Sequence, residues 1–444
     1  MTQLTVGGTS IFGANVGTNA SSAIDMNGGV LEFRNDGNLD FNSLSSGKNV
    51  YLRANSTFYT GPAAGGSGVN GLTTLGTLRV VSNTTGTFNS RNGFGMTLGA
   101  WTQENSANPN TITNNMGGTL TFTGNAWGNT DTTARALTIG GNGNTTIVGS
   151  LIASGALHSL TKSGTGNLTI QGVASTLTGA VNITAGAITV TDFRSLNNTG
   201  TGGAISLGNA TTGVGNLIIG GVGTPTVAGL TTSKPITLNG TSASNSIYAN
   251  QTGANPVILN GAITKIAAAT TGALVLGGTN TADNIVNVVV PVEATPSTGG
   301  VTKVGPGTWV LNAANTYLGA TTIQDGTLKL RATAGASDVV KGGAVTFSAD
   351  GVTQSAGGTL QFRGFLNTVT TETLGALTPT TGAAKIETLA NGAATTLTFA
   401  SLGARGAGAY VDYQPGASST IAFTALPTVT NGILGAVTTS AFQT

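Results

Sequence analysis

The stretch TKVGPGTWVLNAANTYLGATTIQDGTLKL, Thr302 to Leu330, reads as one closed unit. A glycine pair leads into an apolar run, then come Asn-Thr-Tyr and a lone glycine, and two more apolar runs flank Asp325-Gly326. Whether this is a chemical site or one tile of a wall depends on whether the chain repeats it. It does, as TKSGTGNLTIQGVASTLTGAVNITAGAITV, Thr161 to Val190. Allowing one extra residue at Val173, Lys162 matches Lys303, and Gly164 and Gly166 match Gly305 and Gly307. Leu168 then stands for Trp309, Leu177 for Tyr317, Gly179 for Gly319, Ile183 for Ile323, Gly186 for Gly326 and Ile188 for Leu328. Glycines and apolar positions recur while polar letters drift. That is the mark of a repeated supersecondary unit, whose turns need particular backbones and whose core needs particular faces. A shorter phrase also recurs, as GGVLEF (Gly28–Phe33), GGTLTF (Gly117–Phe122) and GGTLQF (Gly357–Phe362), with GGAVTF (Gly342–Phe347) a near relative.

Composition narrows the fold class. Of 444 residues 70 are glycine, only 7% are charged and 5% aromatic, so a core must be narrow and built from Val, Ile, Leu and Ala. Threonine favours strands, and glycine and asparagine favour turns. The nearest approach to a helical stripe, Thr264–Leu276, is interrupted by Thr-Thr-Gly. The chain is predicted to be all-β. Its net charge of +2 comes without any Lys/Arg cluster that would track phosphates, so nucleic acid is not an expected partner. There is no cysteine, hence no disulfide framework. No apolar window is long enough for a membrane helix, and membrane insertion is not expected. The first residues lack a signal-peptide pattern and the last lack a set of barrel strands. The chain therefore reads as a piece of a longer polypeptide or as a protein exported by a route it does not display.

Three stretches differ in their core letters. Residues 1–129 are richer in aromatics, residues 130–300 write their strands in Ile, Val and Leu, and residues 301–444 carry the clearest repeat. No linker separates them, so they read as portions of one body. Short apolar runs bounded by Gly, Asn or Pro return at short, near-regular intervals, as strands do. Such units can form a meander, a sandwich or the coils of a β-helix. Asn-Gly pairs at Asn27, Asn239, Asn260 and Asn391 keep the hairpin meander open. Near-uniform strand length and drifting outward letters favour stacked parallel coils, with apolar residues inside and Thr/Asn ladders outside. With about 20 residues and ~4.8 Å per coil, roughly 20 coils would span on the order of 100 Å.

The unit at Thr302–Leu330 resembles the autotransporter-associated β-strand repeat of bacterial passenger proteins. The resemblance rests on Gly305, Gly307, Trp309, Leu311, Asn315, Thr316, Tyr317, Gly319, Thr321, Ile323, Gly326 and Leu328. The earlier unit has Ser175, Thr176 and Leu177 in place of Asn-Thr-Tyr and is a degenerate copy. Direct resemblance is confined to these two units. It implies a right-handed parallel β-helix (β-solenoid), exported and displayed on a bacterial surface.

Because parallel β-helices also carry polysaccharide lyases and hydrolases, clustered carboxylates with Arg, Lys or His are the feature to look for. The one histidine, His158, reads as an incidental loop residue. The densest acids are Glu32, Asp36 and Asp40, with Leu31 and Phe33 facing in, Glu32 and Arg34 facing out and Asp36 in a turn. GGNGNTTIV (Gly140–Val148) is close to a calcium nonapeptide, but Thr145 holds the aspartate position and the phrase is not reiterated. Trp309 and Tyr317 are expected in the core rather than on a sugar platform. The repeated Lys162 and Lys303 lack the paired carboxylate that isopeptide chemistry needs. No catalytic, cofactor or metal site is therefore expected. The sequence points to a non-enzymatic extracellular β-solenoid: a stiff passenger, adhesin stalk, or subunit of a fibre or layer. A carbohydrate-active enzyme or a glycan-binding module is the alternative. Partners would be further copies, neighbouring segments of a longer chain, or host or matrix glycans.

Overall fold

The computed structural model describes residues 3–7, 24–41, 49–81, 83–103, 109–126, 135–152, 158–197, 202–209, 213–239, 244–265, 272–291, 299–333, 339–349, 357–425, 427, 429–430 and 433–434. Among them are 40 strands and two short 3-10 turns, Phe193–Ser195 and Ala228–Leu230. Two units divide the chain: Met1–Ser206 with Gly215–Gly229, and Leu207–Val214 with Leu230–Thr444.

In the first unit the chain climbs by alternating between two parallel sheets. One contains Ile24–Arg34, Val50–Gly61, Thr85–Ser90, Asn110–Asn115, Ala136–Gly140, Ser159–Lys162 and Val181–Ile183 in that order. The other contains Leu72–Thr74, Gly95–Leu98, Leu120–Phe122, Thr145–Ile147, Asn167–Ile170, Gly186–Val190 and Gly215–Ile219. Within each sheet, neighbouring strands of this series are hydrogen-bonded and lie one coil apart. This is the connectivity of a parallel β-solenoid. The meander is excluded for these strands, and the one antiparallel pair among the described residues joins Val429–Thr430 to Ile433–Leu434.

The second unit follows the same rule. Leu274–Gly277, Val301–Lys303, Thr321–Ile323 and Val345–Ser348 stack in one sheet. Asn284–Val286, Thr308–Leu311, Thr327–Arg331, Thr359–Arg363, Ala383–Leu389 and Tyr410–Pro415 stack in another. A third, three-stranded sheet holds Thr370–Leu374, Thr395–Phe399 and Ser419–Phe423.

Alternation along most of the short strands sends every second side chain inward, and parallel register sets like on like. Leu168, Ile188 and Leu217 form one column, all wholly buried. Trp309, Leu328, Leu360, Ile386 and Tyr413 form another. Each such Leu or Ile contributes roughly 1.5–3 kcal/mol relative to exposure. The aromatic-rich early stretch packs its rings in the same way, Phe58 on Phe88 with centroids 5.1 Å apart and Trp101 against Phe122 at 5.4 Å.

The short coil expected from the sequence holds inside the two tiles only. There Val301 pairs with Thr321, and Leu168 with Ile188. Elsewhere one coil is longer, running from Ile24 to Val50, from Ile188 to Leu217 and from Thr327 to Thr359. The extra length lies outside the paired strands, apart from a one-residue register shift between Met26 and Asn27 in the ladder of Ile24–Arg34 with Val50–Gly61.

Candidate functional site

Each tile is two coils thick. Its first strand pairs with its third and its second with its fourth: Val301–Lys303 with Thr321–Ile323, and Thr308–Leu311 with Thr327–Arg331. In the earlier tile Leu160 pairs with Val181, a span one residue longer than that from Val301 to Thr321. The extra residue placed at Val173 in the alignment therefore sits in the corner between second and third strands. The residues the tiles share are brought together by stacking. Trp309 lies in register with Leu328, as Leu168 does with Ile188, and Ile323 lies in register with Lys303, as Ile183 does with Lys162. Trp309, Leu311, Tyr317, Ile323, Leu328, Leu168, Ile183 and Ile188 are all wholly buried.

The glycine pairs make the corner between the first two strands. Gly326, with φ +64°, lies over the Gly305 and Gly307 carbonyls, which a Cβ would meet at 2.4 Å. Gly186, with φ +70°, lies over the Gly164 and Gly166 carbonyls, at 2.6 and 2.7 Å. No other residue suits either place, since both the left-handed backbone and the close approach demand glycine. Gly179 approaches the chain below at the next corner, its N–H donating to His158 O at 2.8 Å, as the Gly319 N–H donates to Gly299 O at 3.2 Å.

The lysine of the tile is a corner brace. Lys303 is fully buried, and its Nζ donates to the carbonyls of Val304 (2.8 Å), Gly305 and, one coil later, Asp325 (3.1 Å). Lys162 Nζ donates likewise to Ser163 O (2.7 Å) and Gly164 O (2.8 Å). Burial lowers both to about 8, partly offset at Lys303 by the Asp325 carboxylate. Both ammonium groups are met by carbonyl oxygens, an arrangement for capping a turn.

The Asn-Thr-Tyr of the second tile is a staple between coils. Asn315 Oδ1 accepts from Val290 N at 2.8 Å, and Nδ2 donates to Ala313 O and Val339 O, both at 2.8 Å. Thr316 N donates to Val290 O at 3.1 Å, and Tyr317 Oη shares a hydrogen bond with Thr321 Oγ1 at 2.8 Å. Trp309 Nε1 reaches Gly277 O, one coil down, at 2.8 Å. The degenerate tile keeps half of this. Ser175 Oγ accepts from Leu151 N at 2.9 Å, and Thr176 N donates to Leu151 O at 3.0 Å, but a serine side chain carries no amide Nδ2 to donate the two further bonds.

Candidate chemical groups do not converge. Glu32 is covered, paired to Arg34 at 2.7 Å. Asp36 accepts from Gly68 N at 3.1 Å, and Asp40 stands exposed on Leu39–Asp40. His158 lies in a loop, as expected, but is buried there: its Nδ1 accepts from Arg135 N at 3.1 Å. Among the described residues no three His, Cys, Asp or Glu side chains gather as a metal site would require. Gly141 and Gly143, from the calcium-like phrase, form a turn under Gly164 and Gly166. Other buried polar side chains also bind backbone of adjacent coils. Glu372 accepts from Val339 N and Val340 N, both at 2.8 Å, and Asn284 Oδ1 accepts from Val257 N at 2.8 Å. Sequence reasoning missed these staples, because their partners are backbone groups that carry no letter.

Fold and tile together define a β-solenoid built with autotransporter passenger-type repeats. The family model of the passenger-associated-transport-repeat matches residues 160–190 and 301–330, the two tiles described above. The chain is also 35% identical over 150 residues to the adhesin BmaC autotransporter of Brucella suis biovar 1 (strain 1330), a stretch covering 33% of this chain. The chain spans 4% of the length of that curated relative. No solved structure matches.

Proposed function

We propose that this chain is a non-enzymatic, surface-displayed passenger segment, a stiff β-solenoid that serves as an adhesin stalk or scaffold. One observation carries the reading: the residues shared by the two tiles are committed to holding coil on coil. Glycines close corners, apolar residues fill the core, and the lysines brace turns. A repeat selected for chemistry would present acids and bases at one face, whereas these acids are dispersed. Similarity to an autotransporter adhesin supports an extracellular or cell-surface location. Among the described residues no helix is long and apolar enough to cross a membrane.

The test uses beads coated with the purified chain, incubated on immobilised polysaccharides and on cell monolayers, with the supernatant assayed for released sugar ends. Retention above that of uncoated beads, without release of reducing or unsaturated ends, is the expected result. Release of such ends would establish the enzyme reading instead. Absence of retention on every surface would remove the adhesive one.

A further inference from the structure

On the outer face of the second unit, residues at the ends of successive strands make a column with an abrupt change of chemistry. Asn287 Nδ2 donates to Asn260 Oδ1, and Asn312 Nδ2 donates to Asn287 Oδ1, each at 2.8 Å. By register the next two rungs are Arg331 and Arg363. An amide ladder satisfies itself, each side chain donating one way and accepting the other. Two guanidiniums on adjacent rungs, about 4.8 Å apart at the backbone, repel.

Compensation is incomplete. Asp283 is shared, accepting from Arg331 Nη2 at 3.0 Å and from Lys329 Nζ at 2.7 Å. Glu387, two rungs beyond Lys329 in the neighbouring column, is engaged by Lys385 and by Gln361. Arg363 has no carboxylate partner among the described residues, only a long contact of 3.3 Å from Nη2 to Asn391 Oδ1. Arg331 and Arg363 thus carry more positive charge than Asp283 balances, and both line an open, shallow cleft of about 450 Å³. Asn312, Thr333, Asn391, Phe365 and Leu366 contribute to its lining, and Leu366 is 58% exposed.

We infer that this cleft binds an acidic oligosaccharide, its carboxylate or sulfate held between Arg331 and Arg363. Guanidinium forks match either anion in a bidentate manner. Amide and hydroxyl side chains suit ring hydroxyls, and a half-buried phenylalanine suits the apolar face of a sugar. The volume is that of a small-molecule site and far exceeds a lone inorganic anion. An acidic peptide is the less suitable occupant. Peptides gain affinity by adding a strand to an open sheet edge, and both arginine-bearing strands are already paired on each side. The inference gives the adhesive reading above a ligand class and rests on it.

Calorimetric titration of the whole chain tests this with four probes: hexagalacturonate, a sulfated dextran oligomer, unsulfated dextran as a neutral saccharide, and poly-glutamate. Saturable binding of hexagalacturonate or the sulfated oligomer is expected, at least tenfold weaker in Arg363→Gln and in Arg331→Gln, with dextran and poly-glutamate inert. Which of the two acidic probes binds identifies the anion. Arg363 is exposed, so its variant should keep the parent melting temperature, and bead retention on cells reports separately on adhesion. Three results would overturn the site: no acidic saccharide binding at millimolar concentration, equal binding of poly-glutamate, or unchanged binding in a folded Arg363→Gln. Retention of beads alongside any of these would leave the adhesive reading standing and remove the cleft alone.

Discussion

Tyr317 Oη lies 2.8 Å from Thr321 Oγ1, a hydroxyl pair sealed in the core of the second tile. One tile earlier the same two places hold Leu177 and Val181, both wholly buried. The solenoid thus fills one interior site in two self-consistent ways, polar with polar and apolar with apolar. Mixed pairs should be worse than either. Tyr317→Phe, or Thr321→Val alone, leaves one buried hydroxyl without its partner and should cost about 1–3 kcal/mol. The double variant should cost less than the sum of the singles, which a double-mutant cycle in urea measures directly. Strict additivity would show that the two hydroxyls are not energetically coupled.

The staple at Asn315 invites a graded comparison. Asn315→Ser should keep an acceptor for Val290 N, as Ser175 does for Leu151 N, and lose the two donated bonds. Asn315→Ala loses all three. We expect about 1 kcal/mol for serine and about 2–3 kcal/mol for alanine. Equal midpoints for the two variants in denaturant titrations would contradict this ordering.

Gly326 and Gly342 share a φ of +64°, yet a Cβ at Gly326 meets two carbonyls at 2.4 Å, and one at Gly342 meets nothing within 4 Å. Alanine at Gly342 therefore carries only the backbone penalty, about 1 kcal/mol. At Gly326 it also forces the coils apart, adding roughly 1–3 kcal/mol. Thermal melts of the two variants separate conformational strain from close approach. A Gly342→Ala melt as low as that of Gly326→Ala would show that backbone strain alone accounts for both.

Three buried lysines set an alkaline signature. Burial lowers Lys162, Lys234 and Lys303 to about 8 from an ordinary 10.5. Between those values the unfolded chain binds more protons than the folded one, so stability rises with pH, by at most about 1.4 kcal/mol per pH unit per lysine. Burial raises Tyr317 and Tyr413, and their contribution is lost as pH climbs past about 10. The urea midpoint should accordingly increase from pH 8 to pH 10 and then level off or fall. Lys303→Met should flatten the rise, and a midpoint that is flat or falling between pH 8 and 10 would contradict the account.

Much of this is readable from residues alone, for a physical reason. Gly305, Gly307 and Gly326 recur as Gly164, Gly166 and Gly186 because turns that stack cannot admit a side chain, so the alphabet at those places is one letter long. Trp309 and Leu168 are legible as core because period-2 alternation leaves them no other face. Coil length outside the tiles is not legible, since the extra residues between Thr327 and Thr359 lie outside that ladder and leave no mark on its register. The brace role of Lys303 and the burial of His158 are hidden for a different reason. Each is defined by a backbone carbonyl or N–H supplied from elsewhere in the fold, and such a group looks the same whatever residue bears it.

The single extra residue near Val173 shows where this architecture is permissive. Leu160 still meets Val181 and Leu168 still meets Ile188, although their tile is one residue longer than its counterpart. Inserted length leaves at the corner and is not transmitted along the ladder. For engineering, that makes the position of Val173, after Ile170 and short of the Ser175 staple, a grafting point, where a foreign epitope could be spliced in while the strands on either side keep their partners. For evolution, it means that variation in corner length is decoupled from the grammar of the stack, so the outward face can change without re-solving the fold.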